Sequence, residues 1–344
     1  MEVIEKRKSD YNTILNGLML LNVICVHCAK LSRWQCSMVL YLLAYCLSFM
    51  VQWMFYKSGS FFKHVNGNRI KHYWNKYMTP FIIFGLFGLI VQCAISCIGY
   101  GMPFRQWSHE LFRIAGIQNT VFGNNALWFL PTLFLVRSVS DLVLAKIHPF
   151  IIAIISMLLA YLHFLTATPI TPWLFGNFFI GLCFFSLGFY MKKYESKSWI
   201  NVMAIVVYAI IILLAASSIY AFPAIFPHSN HLAAGKNEQY LLSYPIALCG
   251  IIAINAIFRW LSKHYSFPVL SYIGRNAMNF YVTHWIVLVV VKFVAEKHFG
   301  ILGTKLCFCL FVAVCALTLP LISKLINSIK EKKVCTTTSR QEGC

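Results

Sequence analysis

The sequence predicts an all-α, polytopic integral membrane protein, and three observations carry that prediction. Charged residues make up 11% of the 344-residue chain, against about a quarter in an ordinary soluble domain. Hydrophobic residues reach 59%, and the mean hydropathy is +0.70. The apolar residues also fall into repeated runs of roughly 20, the length that crosses a bilayer core as a helix. A net charge of +19 would point to nucleic acid in a soluble protein. Here the basic residues gather in loops and at the ends of runs, so the expected partner is the lipid bilayer and not nucleic acid.

Ten runs are long enough to span. The first, 12–29, holds no charge before Lys30 and lacks a small-residue cleavage site, so it is expected to stay as a helix and not be removed as a leader. The second is 38–56. The third, 79–100, opens with Pro80, which suits a first helical turn. The fourth and fifth, 126–146 and 149–167, are separated by the turn at His148-Pro149. The sixth, 171–190, follows the short link Thr168–Thr171. The remaining four are 200–222, 240–260, 269–293 and 303–326. No soluble domain, low-complexity tract or internal repeat interrupts them. The expected organisation is one membrane domain over 1–344, with short tails at 1–11 and 327–344.

Sidedness follows from Lys and Arg. With the N-terminus inside, nineteen of them fall on the cytoplasmic side, from Lys6 through Lys57, Arg69, Lys193 and Arg259 to Arg340. Seven fall outside: Lys30, Arg33, Arg105, Arg113, Lys236, Lys297 and Lys305. Both termini are therefore expected in the cytoplasm.

Ionisable residues within such runs are rare and tend to mark chemistry or transport paths. His27 is one, about 15 residues into the first helix, or ~22 Å along it. His284 is a second, for which structural and functional readings are even. Arg137 is too deep to reach water easily, and its spacing suggests a helical pair with Asp141. Cys25, His27 and Cys28 point in different directions from one helix and cannot converge on a metal ion. No metal site is expected.

Several segments, in order, resemble the acyltransferase-3 family of integral membrane acyltransferases, and within it the fucose-4-O-acetylase-like branch. They are Asn16-Gly17 with an apolar run to His27, then Tyr56-Lys57-Ser58-Gly59-Ser60-Phe61-Phe62, then Arg69-Ile70-Lys71 with Lys76-Tyr77-Met78-Thr79-Pro80-Phe81. After these come Leu127-Trp128-Phe129-Leu130-Pro131 and Ser271-Tyr272-Ile273-Gly274-Arg275-Asn276 with Tyr281 and His284. The family's acidic and basic positions before the His correspond to Thr13 and Asn16 here.

The resemblance implies a membrane O-acyltransferase carrying an acyl group, with acetyl expected, from acyl-CoA to a hydroxyl of a cell-surface or lipid-linked glycan. It implies a bacterial cytoplasmic (inner) membrane, with acetyl-CoA as a donor substrate and no permanently bound cofactor. His27 then serves as general base, because imidazole exchanges its proton near neutral pH. Arg69, Lys71, Lys76, Ser58 and Trp128 are the expected donor-binding residues. Basic side chains can grip phosphates through charge-assisted bonds. The same loop, 57–76, also reads as a topology signal beside anionic lipid, and Trp128 with Pro131 as an interfacial Trp and a helix-start Pro. His284, Arg275 and Asn276 form a possible second polar group. Two alternatives stay open on the sequence: a transporter or flippase for a lipid-linked sugar, and a family member weakened by Thr13 and Asn16.

Overall fold

The computed structural model describes residues 11–33, 46–65, 67–101, 103, 124–166, 173–217 and 237–341, and all regular structure among them is helical. In chain order the helices are α1 (Tyr11–Ser32) and α2 (Met50–Ser60). Next come α3 (Arg69–Gly99), with π turns at Trp74–Met78 and Ile95–Gly99, and α4 (Asn125–Val143), which opens as a 3-10 turn. α5 (Pro149–Thr166), α6 (Trp173–Met191), α7 (Ser198–Ser217) and α8 (Asn237–His264) follow. The last three are α9 (Pro268–Arg275), α10 (Ala277–Phe299) and α11 (Lys305–Gln341).

Seven of these are long and apolar enough to cross a membrane: α1, α3, α4, α5, α8, α10 and α11. The protein is thus an all-α, multi-pass membrane protein. The described residues do not confirm the expected count of ten. Part of the second run lies outside the described residues, and α7, Ser198–Ser217, is described in full detail only over Ser198–Leu214.

The run 269–293 is not one helix, and this corrects the sequence reading. It breaks at Asn276, whose backbone (φ −101°, ψ 18°) leaves the helical region and separates α9 from α10. No proline is involved. The Asn276 amide donates to the Tyr272 carbonyl (3.0 Å) and its side-chain oxygen accepts from Asn327 (2.9 Å). A short polar side chain that bonds the preceding turn competes with the helical ladder.

α1 is the axis of the packing. One of its faces carries Leu15 and Met19 into a core built with Trp53, Tyr56, Phe184 and Phe185. Another carries Leu20, Ile24 and Cys28 into a second core with Leu288, Phe311 and Cys315. Against α9 it packs backbone to backbone. A Cβ added to Gly17 would fall on the Leu270 carbonyl, and one added to Gly274 would fall on the Thr13 carbonyl. Small residues permit such contact where no hydrophobic force favours one helix surface over lipid. The Gly59–Gly188 pair does the same between α2 and α6. Ser58-Gly59 therefore lies inside a helix at a close approach and does not form a turn.

Candidate active site

His27 and His284 come together from α1 and α10. His27 Nδ1 lies 3.0 Å from His284 Nε2, and the rings are within 4° of coplanar with centroids 5.3 Å apart. Coplanarity with a short N–N distance is an in-plane hydrogen bond, not face-to-face stacking. The register agrees with the glycine contact: ten residues separate Gly17 from His27, and ten separate Gly274 from His284. α1 and the α9–α10 pair therefore run in parallel.

Hydrogen bonds fix the proton positions of a neutral pair. His284 Nδ1 faces the carbonyls of Tyr281 (2.8 Å) and Phe280 (3.2 Å). Carbonyls only accept, so Nδ1 carries the hydrogen and Nε2 is left with a lone pair. His27 Nδ1 must then donate to it, which leaves His27 Nε2 unprotonated. His284 is fully buried. Trp285 stands edge-on to His27, centroids 5.2 Å apart, and its indole N–H is buried with no partner among the described residues. An orphaned buried donor is uncommon in a folded protein.

A cavity of about 400 Å³ opens at the end of the bundle where α1 begins. Its polar lining comes from Asn12, Thr13, Asn16, Lys57, Ser58 and Arg137. Among the described residues no carboxylate lines it. Its inner end reaches Leu20, Phe129 and Tyr281, and the Tyr281 ring lies 6.0 Å from that of His284. The imidazole pair thus sits one helical turn beyond the cavity, behind Tyr281.

The residues expected from the sequence divide. Ser58 lines the cavity, where its hydroxyl accepts from Arg137 Nε (3.0 Å) and Nη2 (2.9 Å). Arg69, Lys71 and Lys76 are exposed near the start of α3 and do not line it. Arg69 is engaged with Asp141, Nε to Oδ2 3.8 Å and Nη1 to the backbone carbonyl 3.4 Å. Trp128 is buried in the core, edge-on to Phe129, and it is Phe129 that reaches the cavity. Arg275 and Asn276 lie at the helix break, more than two turns before His284, and the structure does not bring them to the pair.

Arg137 and Asp141 do not pair with each other, contrary to their spacing. Asp141 is 1% exposed and is instead satisfied by His64 (2.6 Å), Tyr73 (3.2 Å) and Arg69. A buried carboxylate needs several partners, and α3 with the loop before it supplies them. Arg137 turns the other way, to α2. Its place in the cavity was signalled only by its depth in an apolar run. The part of Trp285 had no signal, since an indole in a membrane helix is ordinary.

A comparison with protein families matches residues 13–322 to an acyltransferase domain. No curated protein and no solved structure matches the chain.

Proposed function

The chain belongs to the acyltransferase-3 family of integral membrane acyltransferases, and from that premise we propose that it transfers acetyl from acetyl-CoA to a hydroxyl of a cell-surface or lipid-linked glycan. The observation that carries this reading is the His27–His284 hydrogen bond, which leaves one imidazole nitrogen of His27 free to take a proton. His27 Nε2 removes the proton from the acceptor hydroxyl as its oxygen attacks the thioester carbonyl carbon. The carbon–sulfur bond then breaks, and the thiolate recovers the proton from His27. The products are the acetyl ester and free CoA. His284 acts through His27, holding its tautomer and accepting the hydrogen bond of the imidazolium. The Trp285 N–H supplies a donor for the negative charge that builds on the carbonyl oxygen.

The cavity is the donor's approach. In the sidedness set by the Lys and Arg distribution it opens to the cytoplasm, where acyl-CoA is made, and both termini lie there. The acceptor glycan reaches the pair from the opposite face of a bacterial cytoplasmic membrane. Arg69, Lys71 and Lys76, exposed at the start of α3 and outside the cavity, supply a basic surface that attracts the polyanionic donor, and Ser58 works inside the cavity. Trp128 holds Phe129 against the cavity's inner end.

Glycan mass spectrometry of cells with the gene intact and deleted tests the reaction. A loss of one acetyl per modified unit on deletion, restored by the wild-type gene, is expected. Unchanged glycans with membranes that release no CoA from acetyl-CoA would contradict it.

A further inference from the structure

Among the described residues no carboxylate pairs with Arg137. Its guanidinium is held by the Ser58 hydroxyl and carbonyl (3.2 Å) and by the faces of Tyr77 and Phe185, 6.0 and 5.9 Å from the ring centroids. It lines the cavity, whose lining also has a second cation, Lys57, and the amide and hydroxyl of Asn16 and Thr13. Lys57 is partly balanced by Glu195 at 3.9 Å. Arg137 is not. A preset guanidinium in a cavity whose described lining holds no carboxylate favours a ligand bearing phosphate, which it can bind in bidentate fashion.

The distance to the imidazole pair says which phosphate. Arg137 lies eight residues past Phe129, about 12 Å along α4. Phe129 packs on Tyr281 (6.0 Å) and His284 is one turn further along α10. The guanidinium therefore sits on the order of 16 Å from the pair, measured along the bundle. In acyl-CoA about thirteen bonds join the pyrophosphate to the thioester sulfur. At the reach per bond of an extended chain they span roughly 15 Å. The 3′-phosphate lies beyond the pyrophosphate, on the nucleotide.

We propose that Arg137, held by Ser58, binds the pyrophosphate of the acyl donor and so sets how deep the thioester reaches toward His27. This rests on acyl-CoA being the donor. The nucleotide then lies at the cavity mouth and the pantetheine arm runs inward past Tyr281.

The test is binding of CoA, dephospho-CoA and pantetheine to the purified full-length protein in lipid nanodiscs, for wild type, Arg137→Gln and Arg137→Lys. Wild type should bind CoA and dephospho-CoA at least ten-fold more tightly than pantetheine. Arg137→Gln should remove that advantage for both nucleotides and leave pantetheine binding unchanged. Arg137→Lys, which keeps the charge and guards against a misfolded Gln variant, should retain part of it. Equal weakening of pantetheine would make Arg137 a packing residue. A loss confined to CoA, with dephospho-CoA unaffected, would move the contact to the 3′-phosphate, and no loss at all would also overturn the assignment. Failure of the wild type to bind any CoA form would instead remove the donor itself, and the assignment with it.

Discussion

At the scale of single residues, the site depends on who holds the hydrogen between two imidazoles. His284 spends its Nδ1–H on the carbonyls of Tyr281 and Phe280, and that commits His27 Nδ1 to donating and His27 Nε2 to accepting. Among the described residues it is an imidazole, and not a carboxylate, that orients His27. The Trp285 N–H, unpartnered among the described residues and on a ring that meets His27 at right angles, is the proposed donor to developing charge. Trp285→Phe keeps an aromatic ring and removes that N–H. It should lower turnover by roughly 10²-fold or more, with the level of folded protein in the membrane and the Michaelis constant for acetyl-CoA little changed. Turnover within two-fold of wild type would take Trp285 out of the chemistry. His27 and His284 were each visible in the sequence as imidazoles in apolar runs. Their union was not, because 257 residues separate them and no local pattern records a contact between distant helices. The Arg137–Asp141 spacing misled for a related reason: an i,i+4 pair is worth only a few tenths of a kcal/mol. Ser58 and Tyr73 from other helices, and His64 from the loop before α3, offer better partners.

At the scale of elements, the geometry of the pair is fixed ten residues away, where Gly17 and Gly274 let the α1 and α9 backbones touch. Gly17→Ala would drive a methyl into the Leu270 carbonyl, and overpacking of this kind costs about 1–3 kcal/mol. The expected outcome is a lower melting temperature of the detergent-purified protein, together with a loss of activity larger than the loss of folded protein, because His27 shifts against His284. Wild-type melting and activity in Gly17→Ala would show that α9 does not set the register. Most span positions were legible from apolar runs of bilayer length. The break at Asn276 was not. It arises from a side-chain amide bonded to Tyr272 and Asn327, and a hydropathy pattern continues smoothly across it.

At the scale of the whole molecule, a cavity open at one end and an imidazole pair displaced from it are what the proposed reaction uses as a path between two compartments. In the proposed reaction the donor enters where α1 begins, and the acceptor meets it beyond Tyr281. The proposed cytoplasmic face is the one that carries nineteen basic residues against seven. A reporter fused after Arg340 should therefore be active only in its cytoplasmic form, and activity only in the external form would reverse the path. The central claim is that His27 is the base, and acetyl transfer per folded molecule in membranes carrying His27→Ala or His27→Gln tests it most directly. Both variants should insert at normal levels, and both should fall by roughly two or more orders of magnitude, since Gln keeps hydrogen bonding but cannot take a proton. Near-normal transfer by His27→Gln would contradict the account.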